Sequence, residues 1–248
     1  MKKKDFKQAK YKVTHLFKLV LGLLYPLRCP VCDGIVLPFG EKICTECLPK
    51  LKLITPPYCM KCGKKVKEGD YYCPDCQRYE HLYVRGRALY DYGSVATCLY
   101  RFKYGGRREY GDFLGEEMAR YLGPFIRETG AEALIPVPLH RKREKKRGYN
   151  QAKVLADALG RYAGLPVYGK YLQRVGRGGP LKYLSPEERQ NNLKKAFIIK
   201  ENDVKLKVVI IVDDIYTTGS TVDAVAHVLL EAGVEKVFFL AVSCGAGV

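Results

Sequence analysis

The most constraining feature of this sequence is a set of four CxxC pairs that follow one another at nearly equal spacing. The gaps between successive pairs are 11, 11 and 10 residues. Two such pairs complete a tetrahedral thiolate shell for Zn²⁺, with each sulfur about 2.3 Å from the metal. The regular CxxC spacing argues against a disulfide framework, and iron–sulfur ligation needs no such doubling. The eight candidate zinc ligands are Cys29, Cys32, Cys44, Cys47, Cys59, Cys62, Cys73 and Cys76.

The spacing is compatible with one or two structural zinc ions and leaves their pairing open. Sequential pairing joins the first two pairs and the last two, and crossed pairing fits the spacing equally well. A segment of about 50 residues with few long apolar runs would not fold unaided, so the metal should supply folding energy. We therefore predict a zinc-binding module over residues 28–80.

The segment before the cysteines is basic and then apolar. Its apolar part, residues 15–27, contains Lys18 and ends near Pro26. It is shorter than the about 20 apolar residues that span a bilayer. A small-residue cleavage site is also lacking, because Cys29 begins the first pair. Residues 1–27 are predicted to form a basic tail and a short amphipathic helix, and the expected location is cytoplasmic.

Residues 81–248 alternate between strand-like and helix-like segments. Alternation of this kind favours an α/β fold with a parallel sheet. Continuous apolar strands indicate that both faces of the sheet are covered. The ligands of such sheets bind at the carboxyl ends of the strands. The predicted strands are residues 87–92, 133–138, 165–174, 207–214 and 236–243.

The strongest predicted strand ends in two adjacent carboxylates, Asp213 and Asp214, and is followed by a turn rich in hydroxyl groups. A helix N-terminus offers free N–H groups to a phosphate, and Gly219 lets the backbone approach closely. The carboxylates only accept hydrogen bonds, which suits two vicinal hydroxyls or Mg²⁺. A phosphate and a diol held by one loop indicate a ribose 5-phosphate. The other candidate contacts are Ile215, Tyr216, Thr217, Thr218, Ser220 and Thr221.

An apolar strand ending in two acids is also typical of a Walker B motif. That interpretation requires a Walker A loop, and the nearest match is residues 164–171. Tyr171 stands there where Ser or Thr must bind Mg²⁺, and the segment follows a helix rather than a strand. We therefore set aside an NTPase.

A basic run follows the predicted strand at 133–138. The chain carries a net charge of +17, from 43 basic and 26 acidic residues, which favours phosphate-bearing partners. Six of the basic residues lie between Arg141 and Arg147. A charge run is often only a solvated loop, but one that follows a strand end in an α/β unit is well placed to bind pyrophosphate.

The strand, the two acids and the TTGST turn closely resemble the 5-phosphoribosyl pyrophosphate loop of type I phosphoribosyltransferases. The whole chain resembles the ComF family, because the CxxC pairs, FKYGGR, IPVPLH, RGYNQA, LSPEERQNNLKKAF and VDDIYTTGST occur in that order. The resemblance implies that Asp213 and Asp214 hold the ribose hydroxyls and that residues 217–221 hold the 5-phosphate. It further implies functional roles for Lys103, Arg147, Gly148, Tyr149, Asn150, Arg189 and Asn192.

The resemblance also implies a biological role. Proteins of this family act in DNA uptake during natural transformation or in DNA utilisation. They combine a zinc module with a phosphoribosyltransferase-like domain, and they work beside a helicase-like ATPase at the inner face of the membrane. The implied ligands are single-stranded DNA and Mg²⁺-bound phosphoribosyl pyrophosphate or a related sugar phosphate.

Two hypotheses about activity stay open at this point. The first is a binding module, and the second is an active phosphoribosyltransferase with an unknown nucleobase or nucleic-acid acceptor. A sensor of phosphoribosyl pyrophosphate is a third, minor option. Tyrosines among basic residues are compatible with base stacking in a basic groove, although tyrosines serve more often in packing. The candidates are Tyr100, Tyr104, Tyr110 and Tyr149.

Overall fold

A computed structural model describes residues 26–38, 40–175, 196–200 and 205–245. The chain forms two compact units, one ending at Lys50 and the other beginning at Leu51. The described part of the first unit holds four cysteines and a 3₁₀ turn at Leu48–Lys50. The division falls inside the cysteine-rich segment, so the last four cysteines belong to the larger unit. The predicted end of the zinc-binding module near residue 80 stays a prediction, because a division into compact units does not show where that module ends.

The larger unit is built on a parallel sheet, as the alternating sequence pattern predicts. Four strands lie in the order β1–β6–β5–β2, and every neighbouring pair is parallel. The central strands β5 and β6 are apolar along most of their length and largely buried, which requires cover on both faces. The strands are β1 (Gly86–Asp91), β2 (Ala133–Pro136), β3 (Leu172–Arg174), β4 (Phe197–Ile199), β5 (Val208–Tyr216) and β6 (Lys236–Cys244).

The helices of this unit pack on the sheet and on one another. Gly111 and Gly115 of α3 allow α5 to lie close, since a Cβ at Gly115 would stand 2.4 Å from the Cβ of Ala158. Asp91 begins α2 by accepting a hydrogen bond from the Gly93 amide at 3.0 Å. The helices are α1 (Pro74–Arg78), α2 (Tyr92–Tyr104), α3 (Tyr110–Thr129), α4 (Arg141–Arg147), α5 (Gln151–Ala163) and α6 (Ser220–Glu231).

Both edges of the parallel sheet are covered by short extended segments. The Ile54 amide donates to the Leu89 carbonyl beside β1, and Leu53 bridges Tyr90. On the other edge, the Leu134 amide donates to the Pro166 carbonyl beside β2. Covered edges leave few free backbone groups that could pair with another chain.

The strand predicted at 165–174 is only partly correct. Val167 forms a single bridge to β2, and β3 instead pairs antiparallel with β4 in a separate two-stranded ladder. Val175 and Ala196 are hydrogen-bonded at the end of this ladder, which holds the flanks of residues 176–195 together. Arg189 and Asn192 lie outside the described residues, and so does nearly all of the amphipathic segment predicted at 1–27.

Within the described ranges, none of the helices combines the length and apolar character needed to cross a lipid bilayer.

Candidate functional site

The paired acids lie at the carboxyl end of β5, in the centre of the sheet. Asp214 is largely buried, and its Oδ1 atom lies 3.0 Å from Nζ of Lys103 on α2. Both side chains are mostly withdrawn from solvent, at 12% and 18% exposed. An ion pair between two such groups is little screened by water. The structure thus brings Lys103 to the acid pair, which lies 110 positions further along the sequence.

The two carboxyl groups differ in their surroundings. Burial, together with the negative charge of Asp214, raises the pKa of Asp213 to about 7. Lys103 and Arg174 oppose this shift with their positive charges. The Asp213 carboxyl accepts a hydrogen bond from the Asp214 amide at 2.8 Å. Asp213 therefore gains or loses its proton near neutral pH, where a sugar hydroxyl or a cation would favour the ionised form.

The hydroxyl-rich turn after β5 runs directly into α6. Gly219 precedes the helix with a positive φ of 86°, which glycine adopts at little cost. Thr217, Thr218 and Ser220 are exposed, and the hydroxyls of Thr218 and Ser220 are 2.6 Å apart. This arrangement places exposed hydroxyls beside the amide groups at the start of a 12-residue helix, as an anion site requires.

An aromatic cluster supports this turn from inside the protein. The buried Tyr216 ring stacks on Phe239, with the centroids 4.5 Å apart. Its hydroxyl lies 2.7 Å from the buried hydroxyl of Tyr83. The Tyr216 side chain therefore points into the core, and the predicted contact of this residue with a ligand stays a prediction.

A buried histidine lies directly behind Gly219. A Cβ at that position would come within 2.8 Å of Cε1 of His81 and 2.7 Å of the Tyr216 hydroxyl. Nδ1 of His81 lies 2.7 Å from the carboxylate of Asp223 in the first turn of α6. The Asp223 carboxylate also accepts the Leu82 amide at 2.9 Å. The segment after the last cysteine pair thus holds the start of α6 in place.

Sequence reasoning missed this His81–Asp223 pair. The two residues are separated by 142 positions, and neither lies in a recognisable motif. A partly buried carboxylate that binds both an imidazole and a backbone amide shows no local sequence signal.

The basic run forms α4, which begins shortly after β2 ends. Five of its six basic side chains are exposed, and Arg147 is partly buried. Because β2 and β5 are neighbouring parallel strands, their carboxyl ends lie at the same edge of the sheet. The sequence predicted a charged loop here, and the structure shows a short helix that ends at Gly148 with a φ of 82°.

The remaining residues of the RGYN motif build the corner between α4 and α5. The Tyr149 hydroxyl donates to the Phe102 carbonyl from a buried position. Asn150 begins α5 by accepting the Ala152 amide at 3.0 Å, and its amide group donates to the Val137 carbonyl at 3.0 Å. Gly148, Tyr149 and Asn150 thus have clear structural contacts, and their predicted contact with a ligand stays a prediction.

Arg174 is a further charged residue near the acids that the sequence did not single out. Its Nε atom is buried and has no hydrogen-bond partner within the described ranges. The guanidinium lies over the Phe197 ring, 5.4 Å from the centroid. Burial, together with the positive charge of Arg143, lowers the pKa of Arg174, and Asp213 opposes the shift. The signal in the sequence was a single arginine at the end of a short predicted strand.

The cysteines form two clusters by sequential pairing. Within each cluster the four sulfurs lie within 4.8 Å of one another. The sulfurs of Cys32 and Cys44 are 3.9 Å apart, and those of Cys62 and Cys73 are 3.6 Å apart. Tetrahedral zinc with bonds of about 2.3 Å places its sulfurs about 3.8 Å apart. Both clusters therefore fit structural zinc, and crossed pairing is wrong.

The second cluster belongs to the core beneath the hydroxyl-rich turn. Cys59, Cys62 and Cys73 are buried in the same cluster of side chains as Tyr83 and Tyr216. Lys64, in the same knuckle, forms an ion pair with Asp75 at 2.6 Å and lies 5.6 Å from the centroid of the Tyr216 ring. This metal site and the turn after β5 therefore share one packed interior.

Two family models match the chain. A double zinc ribbon domain matches residues 20–77, which contain all eight CxxC cysteines. A phosphoribosyl transferase domain matches residues 161–247, which contain the acid pair and the turn. Lys103 and the RGYN motif lie between the two matched regions.

Curated relatives match over most of the chain. Competence protein F of Haemophilus influenzae is 29% identical over 86% of this chain and 95% of its own length. Competence protein ComFC of Bacillus subtilis is 29% identical over 86% of this chain and 92% of its own. The DNA utilization protein YhgH of Escherichia coli K12 is 28% identical over 88% and 95%. The chain is similar to proteins of the ComF family over most of its length.

This similarity agrees with the architecture seen here. The fold class predicted from the sequence is confirmed: a phosphoribosyltransferase-like parallel sheet with N-terminal zinc-binding cysteine clusters. In this protein, one of the two cysteine clusters lies in the compact unit that carries the sheet.

Proposed function

We propose that this protein is a cytoplasmic accessory protein of DNA uptake in natural transformation. It binds single-stranded DNA and holds 5-phosphoribosyl pyrophosphate, or a related sugar phosphate, at the carboxyl end of β5. The uptake role is supported by relatives named as competence and DNA utilization proteins. The proposed protein partner is a helicase-like ATPase of the uptake machinery, at the inner face of the membrane.

The observation that carries the sugar-phosphate site is the position of one buried and one partly buried carboxyl group directly before an exposed hydroxyl-rich turn. The carboxylates of Asp213 and Asp214 accept hydrogen bonds, as the vicinal hydroxyls of ribose require. The start of α6 offers amide and hydroxyl donors to the 5-phosphate. Lys103 compensates the charge of Asp214, so that two acids can remain close together. One phosphorylated pentose satisfies both halves of this site.

The pyrophosphate group would face the basic helix α4 at the neighbouring strand end. Its exposed cations raise the local concentration of polyanions and compensate their charge. Mg²⁺ bound to the pyrophosphate would further neutralise its charge, and Asp213 and Asp214 are the carboxylates that would hold it. The same exposed cations, in a chain of net charge +17, support binding to the phosphates of DNA.

An active phosphoribosyltransferase is the second candidate, and the partly buried Arg174 close to Asp213 favours it. In this reaction the bond between C1 of the ribose and the pyrophosphate oxygen breaks, and pyrophosphate leaves with the electron pair. A nucleophilic atom of the acceptor bonds to C1 and releases its proton to solvent. The acids would hold the sugar in position, and Arg174 with α4 would stabilise the departing charge.

Calorimetry with the zinc-loaded protein tests the proposed function. Phosphoribosyl pyrophosphate with Mg²⁺ and an oligothymidine should each bind. We expect Asp214→Asn to weaken sugar-phosphate binding strongly and to leave DNA binding intact. Asp157→Asn is the matched control, because this carboxylate forms an exposed ion pair with Lys153 on α5. Sugar-phosphate binding that is absent from the native protein, or unchanged in Asp214→Asn, would refute the site.

Turnover separates the candidate activities. Labelled phosphoribosyl pyrophosphate is incubated with the protein and with nucleobases or oligonucleotides as acceptors. Release of pyrophosphate that depends on an acceptor identifies a transferase. Binding without release identifies a binding module or a sensor of the sugar phosphate.

A further inference from the structure

Two tyrosines project into solvent from one face of α2. Tyr100 and Tyr104 are 65% and 62% exposed. Their rings are neighbours, with centroids 5.2 Å apart and an angle of 47° between the planes. The core contacts of α2 are made by other residues, including Leu99 and Phe102, which are buried. The packing of this helix therefore does not account for the two exposed rings.

This tyrosine pair is fixed to the basic helix by one arginine. The Arg147 guanidinium lies over the Tyr104 ring, 4.8 Å from its centroid. The same guanidinium donates to the Tyr104 hydroxyl at 3.1 Å and to Oε1 of Gln151 at 2.8 Å. Arg147 is the last residue of α4, so the exposed rings lie beside a helix of exposed cations.

The other two tyrosines considered from the sequence do not contribute to this surface. Tyr110 is 1% exposed and Tyr149 is 9% exposed. The hydroxyl of Tyr149 donates to the backbone of α2. Of these four tyrosines, the two that are one helical turn apart are the exposed ones.

We propose that Tyr100, Tyr104 and α4 together form a stacking platform for single-stranded DNA, a proposal that rests on the proposed function and assigns its DNA surface. An unpaired strand offers exposed base faces and closely spaced phosphates, which match exposed rings beside a row of cations. Double-stranded DNA keeps its base faces stacked inside the helix, so it can use the cations of α4 but not the rings. An acidic protein partner would likewise need the charges and not the rings.

The platform lies on the same helix as a residue of the sugar-phosphate site. Lys103 stands between the two tyrosines in the sequence and reaches Asp214 at 3.0 Å. A strand stacked on the tyrosines therefore lies against the helix that also contacts the acid pair. The DNA surface and the sugar-phosphate site are neighbours joined by α2.

The test compares ring removal with charge removal. Anisotropy of a labelled oligothymidine of about 20 nucleotides is measured over a range of salt concentrations. For Tyr100→Leu/Tyr104→Leu we expect affinity to fall about ten-fold or more for each ring lost, with an unchanged salt slope. For Lys145→Ala/Lys146→Ala we expect the slope to decrease by about 0.7 per charge. Double-stranded DNA of the same length should bind the leucine variant as it binds the native protein.

Two controls separate stacking from side effects. Tyr100→Phe/Tyr104→Phe keeps both rings and should retain most of the affinity. Tyr121→Leu removes a tyrosine that is 42% exposed and has an arginine over its ring, but belongs to α3. This variant should bind as the native protein does. All variants alter exposed positions, so their melting temperatures should match that of the native protein.

The outcomes distinguish a failure of the stacking platform from a failure of the proposed function. Native protein that does not bind the oligothymidine at any salt concentration refutes the proposed function and the platform together. Native binding that is unchanged in the leucine variant refutes the platform and leaves the function intact. A leucine variant with a lower salt slope, or an equal loss for double-stranded DNA, also refutes stacking.

Discussion

The hydrogen bond between Tyr83 and Tyr216 gives the sharpest prediction about how the turn after β5 is held. Both side chains are almost fully buried, and their hydroxyl oxygens are 2.7 Å apart. Burial raises the pKa of both phenols, so both stay neutral and one must donate to the other. Tyr83→Phe removes one hydroxyl and leaves that of Tyr216 buried without this partner.

The expected magnitude follows from the cost of an unsatisfied buried hydroxyl. Tyr83→Phe should lower the free energy of unfolding by about 1–3 kcal/mol. For a chain of this size that corresponds to a melting temperature lower by roughly 2–12 °C. Tyr83→Phe/Tyr216→Phe removes both hydroxyls and should cost only about 0.5–1.5 kcal/mol, because no buried polar group is left unpaired.

The assay is urea unfolding of the zinc-loaded protein for the native chain, both single variants and the double variant. The double variant should lose less stability than the two single losses added together. Tyr71→Phe serves as a control, because this ring is 75% exposed and should give no change. Tyr83 lies in the segment after the second cysteine cluster, and Tyr216 lies at the turn. If the losses of unfolding free energy in the two single variants add up to that of the double variant, or if a single variant is as stable as the native protein, the coupling between this segment and the turn is refuted.

Three further predictions concern the metal clusters, the turn and the acids. Cys76→Ala should lower the melting temperature of the sheet unit and weaken ribose 5-phosphate binding, whereas Cys44→Ala, in the first unit, should leave both unchanged; equal effects in calorimetry would contradict this. Gly219→Ala should abolish ribose 5-phosphate binding and cost more stability than Gly130→Ala, because both have positive φ but only the former meets atoms within 3 Å; equal losses in thermal unfolding would exclude the close contact. Ribose 5-phosphate affinity, measured without metal, should rise from about pH 6 to about pH 8 as Asp213 ionises, since its pKa is raised to about 7. In Asp213→Asn the ligand phosphate still ionises, but the carboxyl group is gone. If affinity rises as steeply with pH in this variant as in the native protein, the pH dependence does not come from Asp213.

The parallel sheet was predictable because its signals are local. The run of five apolar residues before Asp213 can be satisfied only by a strand covered on both faces, and it forms the interior of β5. The start of α6 was also predictable, since Gly219 and the hydroxyl residues around it favour a turn into a helix. The segment at 165–174 was harder to assign, because a short apolar stretch does not specify its partner strand.

The tyrosines show that local sequence signals do not predict which side chains are exposed. Tyr104 and Tyr110 both lie among basic residues in the sequence, yet one ring is exposed and the other is buried. Their difference depends on which face of α2 and α3 meets the rest of the protein. Charge density near a residue therefore did not indicate whether its ring was free for binding.

The sequence by itself determined the metal-binding residues, the α/β pattern and the loop with its paired acids. Each of these is encoded by residue type and spacing over a few positions of the chain, because thiolate chelation, strand formation and helix starts are local. Only the tertiary structure decided that the cysteine pairs combine sequentially and that the second cluster lies beneath the turn. It also decided that Lys103 meets Asp214 and that His81 meets Asp223. Those contacts join distant parts of the chain, and the energy that selects them comes from packing the whole interior rather than from any short pattern.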